Sequence, residues 1–405
     1  MTAVKSKFKS ADVFAADGAV YISCRKDNEG IAPALSAEQV TGAPPSGVVR
    51  ADFIKGAGVC FLYTATELYY TTNLRMYTKL FTYTGQPFTV WQMVDGVPNA
   101  VAVTKGNTAF SDGTKFSDYM TNINLYCGVV HCGRLFAAQA DNRQKLVWSG
   151  TGGVRDWEQG MGAGGYLYLD PDRGDMLDIL EFGEKLVLIR EYGLTVVNMF
   201  GTPENFSVSM TDTDTDLIVK NTACVVGGKL YFFTKSGLCS FDGSRVHMVE
   251  HAHASGLTAV GGAVEFDGKY FAVCQSGLLG KKAILCYDTE NGCSYFIDLQ
   301  AEALCSSDGV YAFAAGKLYK LKEGGGWTYT SGRIDFGTAK KKTVTEISAQ
   351  GADGIEIICG ALSRVFKDFK GAVRPRMRGA CFTVKLTGTG AVKKAAATAE
   401  VTIGI

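Results

Sequence analysis

The 405-residue sequence contains little proline, 8 residues, and little histidine, 4 residues. It has no apolar run of 18 residues and no convincing helical spacing of its apolar side chains. Without such a run no transmembrane helix is expected, and the opening residues lack the apolar core of a secretory signal peptide. The missing helical spacing argues against an α-rich fold. We therefore expect no membrane partner and no export signal.

The 12 cysteines include no C-x-x-C pair, which argues against a zinc ribbon or a redox motif. Most of them lie in apolar, strand-like runs such as GVCFLY, AILCYD and ACFTV. Free cysteine behaves as a small hydrophobe in a protein core. We predict reduced core cysteines and folding in a reducing cytoplasm, with disulfides or a metal cluster as the alternatives.

Charge is balanced overall but divided unevenly along the chain. The 41 basic and 40 acidic residues give a net charge of +1, which argues against a generic nucleic-acid coat. From Arg333 onward, 13 basic and 6 acidic residues give +7, so the preceding part carries −6. This asymmetry predicts a separate C-terminal unit.

Glycine is abundant, with 49 residues, and a strand–turn–strand unit recurs along the sequence. Seven positions mark corresponding points of this unit: Phe61, Val101, Arg134, Lys185, Lys229, Lys269 and Val310. Successive markers are 40, 33, 51, 44, 40 and 41 residues apart. A period of about 40 residues with paired antiparallel strands is typical of β-propeller blades. The long interval after Arg134 suggests an inserted loop beyond Trp157.

These patterns predict an all-β protein with three parts. Residues 51–329 form a β-propeller of six or seven blades, and residues 330–405 form a small C-terminal antiparallel β-sandwich. Residues 1–50 form an N-terminal arm, in which the strand-like segment GAVYISC is a candidate to close the ring. A series of β-sandwiches or a β-solenoid is the alternative.

One histidine cluster has the residue type and spacing of a metal site. His247, His251 and His253 place the last two side chains on one face of a strand, where they could bind zinc. Alternating histidines are also common on exposed strands, and no Cys or Asp stands at a matching spacing. We predict no metal here.

A run of aspartates, TDTDTD, resembles the start of a calcium-binding loop. Asp212, Asp214 and Asp216 take the first ligand positions, but Leu217 and Ala223 occupy the positions of the required glycine and glutamate. An exposed edge that charge protects from sheet-to-sheet aggregation explains the run more simply. Asp170, Asp172 and Asp175 form a similar cluster, which includes an Arg-Gly-Asp tripeptide that arises easily by chance.

Other catalytic motifs are missing. The glycine-rich stretches at 149–153 and 160–165 are not followed by Lys-Ser or Lys-Thr and open no helix, so they do not predict a phosphate loop. No G-x-S-x-G motif is present. A propeller glycosidase would need paired carboxylates in its central channel. We predict no catalytic residue, no cofactor and no enzymatic activity.

Two long segments carry a resemblance to a known group of proteins. HCGRLFAAQADNRQKLVWSGTGGVRDWEQG and DMLDILEFGEKLVLIREYGLTVVNMFGTPENFSV resemble the virion propellers of tailed bacteriophages. RIDFGTAKKKTVTEISAQG and RPRMRGACFTVKLTG are similar to the strand-rich domain that ends such proteins. The likeness covers residues from about 125 to 405. It indicates the tail-hub, nozzle or head–tail stabilisation group.

The resemblance implies a non-enzymatic structural protein in the virion, assembled in the cytoplasm of the bacterial host. Such a protein forms a ring with copies of itself at the head–tail junction or tail hub and seals or extends the DNA channel. Its partners would be a portal-proximal adaptor on one side, tail or fibre proteins on the other, and genomic DNA in transient non-specific contact. A propeller that binds a carbohydrate or a host surface is the alternative, and a propeller hydrolase is the third reading.

Basic residues of the C-terminal part are the candidate interface. The suspected contact residues are Lys340, Lys341, Lys342, Arg374, Arg376 and Arg378. Few aromatic side chains lie among them, which argues against sequence-specific nucleic-acid binding. A solvated face, or loose phosphate contact with DNA in a channel, are the alternatives.

Overall fold

The computed structural model describes residues 5–26, 30–120, 124–157, 164–209, 213–250 and 257–403. The chain divides into two compact units. Unit 1 comprises Met1–Glu38, Ala283–Leu299 and Leu321–Ile405, and unit 2 comprises Gln39–Lys282 and Gln300–Lys320. Across the described ranges, strands are joined only by loops and short 3-10 turns. No helix in them is long and apolar enough to cross a membrane.

The N-terminal segment contributes five strands and one 3-10 turn. They are β1 (Lys5–Asp12), the 3-10 turn Val13–Ala15, β2 (Val20–Ile22), β3 (Cys24–Lys26), β4 (Ile31–Pro33) and β5 (Leu35–Val40). Asp12 begins the turn because its carboxylate accepts a hydrogen bond of 2.9 Å from the backbone N–H of Phe14. That bond satisfies a donor that the short turn would otherwise leave unpaired.

Unit 2 contains five complete four-stranded blades, each an antiparallel meander in chain order. Blade 1 is β6 (Arg50–Ile54), β7 (Val59–Tyr63), β8 (Glu67–Thr71) and β9 (Thr78–Thr82). Blade 2 is β10 (Phe88–Val94), β11 (Val97–Val103), β12 (Asn107–Ser111) and β13 (Phe116–Met120). Blade 3 is β14 (Leu125–His131), β15 (Arg134–Gln139), β16 (Asn142–Trp148) and β17 (Gly165–Tyr168), with the 3-10 turn Gly153–Arg155 before its last strand.

The next two blades repeat this arrangement. Blade 4 follows the 3-10 turn Pro171–Arg173 and is β18 (Met176–Phe182), β19 (Lys185–Arg190), β20 (Gly193–Asn198) and β21 (Ser207–Ser209), with the 3-10 turn Pro203–Asn205 before β21. Blade 5 is β22 (Cys224–Val226), β23 (Lys229–Thr234), β24 (Gly237–Phe241) and β25 (Val246–Glu250). Part of the stretch that the sequence analysis assigned to an inserted loop therefore forms β17, the outer strand of blade 3.

Two further blades begin in unit 2 and complete the ring of innermost strands. The sixth starts with the antiparallel pair β26 (Leu257–Phe266) and β27 (Lys269–Ser276). After β28 (Lys281–Asp288) and β29 (Cys293–Ile297), the seventh runs through β30 (Ala303–Ser306), β31 (Val310–Ala314) and β32 (Lys317–Glu323). Inside unit 2, β30 lies against both β26 and β6. The innermost strands of the first and last blades are therefore neighbours, and the ring is closed.

The repeat has a direct physical cause. All seven marker residues fall in the second strand of a blade, from Phe61 in β7 to Val310 in β31. These strands are covered on both faces by neighbouring blades, and every residue of β7 is buried. The turn before the second strand commonly needs a left-handed residue, as at Gly183 and Gly268, where φ is +63° and +68°.

The C-terminal sequence completes unit 1. Its strands are β33 (Trp327–Thr330), β34 (Lys342–Ala349), β35 (Gly354–Cys359), β36 (Leu362–Lys367), β37 (Ala372–Val373), β38 (Met377–Gly379), β39 (Thr383–Gly388) and β40 (Ala395–Ile403). One sheet has the order β1-β40-β34, with β37 and β38 both paired to the free side of β34. The other runs β2-β33-β39-β35-β36. Apolar residues of both sheets, such as Ile347 and Leu386, share one buried core.

The structure confirms the predicted fold class, an all-β propeller with a C-terminal antiparallel β-sandwich. It also shows how the N-terminal segment is used. The prediction for GAVYISC was wrong, because β2 pairs with β33 and, in parallel, with β29. The arm strand that joins the sheet of the last blade is β5, beside β32. The predicted boundaries at residues 50 and 329 remain predictions.

Candidate functional site

The innermost strands of unit 2 surround a central cavity of about 360 Å³. Its walls come from β6, β18, β22, β26 and β30 and from the segments next to them. The charged residues that line it are Arg50, Asp52, Asp178 and Glu265. Because innermost strands are mostly apolar, four charged side chains in one cavity make it the first candidate site.

Arg50 and Asp52 form an ion pair within β6. The Nε atom of Arg50 lies 2.7 Å from the Oδ2 atom of Asp52, and its Nη1 atom donates to the carbonyl of Pro87 at 3.2 Å. Burial alone would lower the pKa of Arg50, but Asp52, Tyr63 and Asp178 together outweigh burial, so the pKa is raised. Arg50 is therefore a fixed positive charge in the cavity.

Asp178 lies in the same cavity at a β-bulge. The register of β18 against β19 shifts between Met176 and Asp178, and such a bulge re-aims the side chains beside it. Its Oδ1 atom accepts a hydrogen bond of 2.9 Å from the N–H of Ile179. Burial raises the pKa of Asp178 despite the opposing effect of Arg50. This carboxyl group therefore keeps its proton to a higher pH than an exposed aspartate.

Basic and aromatic side chains connect several blades near the start of the innermost strands. The Nζ atom of Lys220 donates to the Oε1 atom of Gln86 at 2.8 Å, which joins blade 5 to blade 2. Lys220 and Arg143 also contact the ring of Tyr126, at 4.5 Å and 4.7 Å from its centroid. Arg143 in turn pairs with Asp175 at 2.5 Å. These contacts hold the blades together. Lys220 and Arg143 are therefore already paired with groups of the protein itself.

The raised pKa of Asp178 predicts how stability depends on pH. A carboxyl whose folded-state pKa is raised favours the folded state below its unfolded pKa, and the contribution is lost as pH rises through the folded pKa. We therefore expect Asp178→Asn to be at least as stable as the wild type at pH 7.5. Its advantage should shrink as pH falls toward about 4, the ordinary aspartate range. Thermal unfolding of both proteins between these pH values measures the difference.

The matched control is Asp52→Asn, in β6 on the wall of the same cavity. It removes the 2.7 Å partner of Arg50 and should destabilise the protein at pH 7.5. If Asp178→Asn is the less stable variant at pH 7.5, its carboxylate contributes favourably when ionised, and our account of the cavity is incorrect.

Of the residues that the sequence analysis singled out for metals, those that the structure describes do not line the central cavity. His247 is exposed on β25 and its Nε2 atom lies 3.4 Å from the Oδ2 atom of Asp242, whereas His251 and His253 lie outside the described residues. Asp212 also lies outside them. Asp214 pairs with Arg173 at 2.8 Å, and Asp216 accepts a hydrogen bond from Ser236. Within the described ranges, no group of three or more potential metal-ligating side chains is assembled.

The Arg-Gly-Asp tripeptide is engaged at both ends by the protein itself. Arg173 donates to Asp214 and to the carbonyl of Leu194, and Asp175 pairs with Arg143. The structure thus brings together Asp170, Asp172 and Asp214, from the two acidic runs, around one surface cavity of unit 2. Because the two acidic runs are about 40 residues apart in sequence, the sequence analysis did not predict that they share a cavity.

The suspected interface residues divide into two kinds. Lys340, Lys341, Arg374, Arg376 and Arg378 are exposed, and the three arginines alternate with buried residues along the same edge of unit 1. Lys342 is different, because it is 1% exposed and its Nζ atom donates to the carbonyls of Asp335, Thr338 and Ala380. Burial lowers its pKa. Lys342 therefore does not belong to the exposed surface, and the interface role of the other five remains a prediction.

An unpaired strand edge lies beside these arginines. β36 is the last strand of its sheet and has a partner, β35, on one side only. Its apolar side chains Leu362 and Val365 are 69% and 58% exposed. The guanidinium of Arg364 on β36 donates to the carbonyl of Pro375, which links the strand to the arginine-bearing segment. An open edge with exposed apolar side chains is a surface on which another strand can pair.

Most cysteines lie in the core, as predicted. Seven are buried, four are half-buried and Cys132 is exposed, and none of the twelve, all within the described ranges, is joined in a disulfide. Burial raises the pKa of Cys24 and Cys224 to about 12, so both are neutral thiols at physiological pH.

No protein-family model and no curated protein matches the sequence. Among solved structures, a streptogramin B lyase is 11% identical, with 71% of this chain and 97% of that chain covered and a TM-score of 0.47. The WD40 domain of Neurospora crassa Pan2 is 11% identical, with 69% and 89% covered and a TM-score of 0.46. The extracellular domain of the one component system BT4673 from B. thetaiotaomicron is 9% identical, with 92% and 61% covered and a TM-score of 0.49. At these values the similarity concerns the propeller fold alone.

Proposed function

We propose that the protein is a structural component of a bacteriophage virion, where it forms a ring at the head–tail junction or tail hub. Copies of the chain contact one another and the neighbouring virion proteins, and the ring seals or extends the DNA channel. The resemblance of residues from about 125 to 405 to phage virion propellers suggests this role. On this proposal the protein acts in the virion and needs no chemistry at the central cavity.

The observation that carries the proposal is the basic edge of unit 1. Arg374, Arg376 and Arg378 are exposed on a segment linked to β36, the edge strand whose outer side has no partner strand within the described ranges. Of the three, Arg374 has a carboxylate nearby, the Oε2 atom of Glu346 at 3.8 Å. Both side chains of that pair are exposed, so it contributes little to stability. The arginines are therefore available to an acidic partner surface.

The uneven charge of the chain supplies such a surface. The sequence from Arg333 onward carries +7 and the preceding part carries −6. In a ring with head-to-tail contacts, each basic edge faces a different surface of the next copy. Opposite charges then guide the contact, and apolar side chains such as Leu362 and Val365 hold it once it has formed.

The test is the variant Arg374→Glu/Arg376→Glu/Arg378→Glu. Reversing three charges at a complementary interface places like charges together, so we expect incorporation into virions to fall at least about tenfold. In electron micrographs, the purified wild-type protein should form closed rings and the variant should remain largely as single copies. Circular dichroism should be unchanged, because all three side chains are exposed.

The matched control is Arg75→Glu/Lys105→Glu/Lys115→Glu, which changes the charge equally at exposed positions of blades 1 and 2. It should assemble normally. A solvated basic face predicts normal incorporation of the arginine variant, and a DNA-channel role predicts normal incorporation with slowed genome exit. Either result would remove the interface from the proposal.

A hydrolase is the second candidate function. The observation that favours it is the set of carboxylates in the central cavity, Asp52, Asp178 and Glu265, since glycosidases act through carboxylate pairs. The raised pKa of Asp178 is a property of a general acid. Hydrolysis of glycoside substrates by the wild type, abolished in Asp178→Asn, would favour this function over the structural one.

A further inference from the structure

Two tyrosines stand out on the surface of unit 2. Tyr166 and Tyr168 occupy alternate positions of β17, the outer strand of blade 3, and each is 59% exposed. Their rings meet edge to face with centroids 5.5 Å apart. The Nζ atom of Lys145 lies 4.4 Å from the ring of Tyr166 and 5.7 Å from that of Tyr168. The lysine on β16 thus helps to hold both rings in place while they remain open to solvent.

A cavity of about 350 Å³ adjoins Tyr166. Trp148 and Trp157 supply its other aromatic walls, and Asn124 and Asp141 supply polar groups joined by a 2.8 Å hydrogen bond. Trp148 is 8% exposed, yet its indole N–H has no hydrogen-bond partner among the residues that the structure describes. A buried donor without a partner costs free energy that a ligand acceptor would recover.

The glycine beside this tryptophan keeps the wall open. A Cβ atom at Gly165 would lie 2.6 Å from the Cζ2 atom and 3.0 Å from the Nε1 atom of Trp148. Any larger residue would therefore displace the indole. The sequence GYLY combines this glycine with the two exposed tyrosines in a single strand.

A second cavity, of about 520 Å³, adjoins Tyr168. Asp170, Asp172 and Tyr192 contribute to its lining, and Tyr192 is 46% exposed. The hydroxyl of Thr215, which also lines it, is buried and has no hydrogen-bond partner within the described ranges. The two cavities flank the tyrosine pair, and each contains a polar group that the described part of the chain leaves unpaired.

We propose that β17 and its two flanking cavities bind an oligosaccharide. The C–H faces of sugar rings stack on aromatic rings, and sugar hydroxyls bind carboxylates, amides and indole N–H groups. Tyr166 and Tyr168 provide the stacking surface. In the first cavity, Asp141 and the indole N–H of Trp148 form hydrogen bonds with sugar hydroxyl groups. In the second cavity, Asp170 and Thr215 form the corresponding hydrogen bonds. This is a binding activity beyond the proposed structural role and does not depend on it.

The chemistry of the surface favours a saccharide over other ligands. A nucleic acid or another polyanion is disfavoured, because four carboxylates line the two cavities against three cations; the carboxylates are those of Asp141, Asp170, Asp172 and Asp214, and the cations are Lys145, Arg173 and Arg190. An apolar ligand would leave these carboxylates and the unpaired donors without partners. A neutral oligosaccharide satisfies them and covers the exposed aromatic faces at the same time.

The experiment uses the full chain and a glycan array that includes bacterial surface polysaccharides and neutral oligosaccharides. We expect at least one neutral oligosaccharide to bind, and titration calorimetry to give its affinity. Tyr166→Ala/Tyr168→Ala should weaken this affinity roughly tenfold or more, since two stacking contacts are lost. The matched control is Phe200→Ala, which removes an aromatic side chain of similar exposure, 64%, that lines neither cavity.

Two results would overturn the proposal. One is the absence of binding to any glycan on the array, and the other is binding that the tyrosine variant leaves unchanged. Binding of acidic glycans alone would also contradict it, because the carboxylates of the surface disfavour them. Gly165→Val provides a second test without loss of a tyrosine. It should weaken binding in the first cavity by displacing Trp148, while the circular dichroism spectrum is retained.

Discussion

Lys342→Met is expected to destabilise unit 1 by about 3 kcal/mol, because it removes the ammonium donor from three part-buried carbonyl groups. In the wild type, the Nζ atom of Lys342 donates to Asp335, Thr338 and Ala380 at 2.5 Å, 2.5 Å and 2.7 Å. Methionine fills a similar volume but offers no N–H group. Hydrogen–deuterium exchange of β34 in increasing urea measures the loss.

The neighbouring residue offers the matched control. Lys341 is exposed, so Lys341→Met should change the stability by no more than about 0.5 kcal/mol. If the amide hydrogens of β34 exchange at the wild-type rate in both variants, the ammonium group of Lys342 makes no net contribution to stability. Its burial would then have another cause.

Arg190→Met is expected to have an effect of similar size in unit 2, about 3 kcal/mol. Arg190 is 1% exposed. Its Nε atom donates to the carbonyl of Gly174 at 3.0 Å, and its Nη2 atom donates to that of Asp170 at 2.6 Å. These bonds hold the connection between blades 3 and 4 to the end of β19. Hydrogen–deuterium exchange of β18 and β19 in urea should report the weakened connection.

Two further variants separate the geometry of Arg190 from its charge. Arg190→Lys keeps the charge but has only one nitrogen, so it should recover part of the stability. Arg75→Met, at an exposed position, should have little effect. Equal stability of Arg190→Met and the wild type would contradict the assignment of Arg190 as an anchor.

The sequence predicted the repeat because each repeating unit is defined by residues that are close together along the chain. Each second strand is an apolar run between turn residues, and the markers from Phe61 to Val310 identify all seven such strands. The outer strand β17 was missed because its residues, GYLY, follow a glycine-rich stretch and have two exposed tyrosines. A strand at the edge of a blade needs no continuous apolar run, so composition gives a weak signal there.

The candidate sites depended on long-range contacts. Arg50 and Asp178 are 128 residues apart in sequence, yet both line the central cavity. The signal in the sequence was a pair of charged residues within each otherwise apolar first strand, as in RADFI and MLDILEF. Nothing in those short runs shows that their side chains face one another.

Lys342 illustrates the same limit at the candidate interface. Lys342 follows two other lysines in the sequence KKK, and the sequence analysis therefore grouped it with them as a surface residue. The pairing of β34 with β38 and β40 buries it, while Lys340 and Lys341 remain exposed before the strand.

By itself the sequence determined the fold class, the repeat of strand pairs about every 40 residues and the charge division of the chain. These follow from strand periodicity, turn residues and composition, each of which acts over a few residues at a time. Tertiary structure alone decided that carboxylates and Arg50 share the central cavity, that Lys342 is buried, and that β17 presents its tyrosines between two cavities. The physical reason is that closure of the ring and stacking of the two sandwich sheets bring together residues whose separation along the chain carries no information about distance.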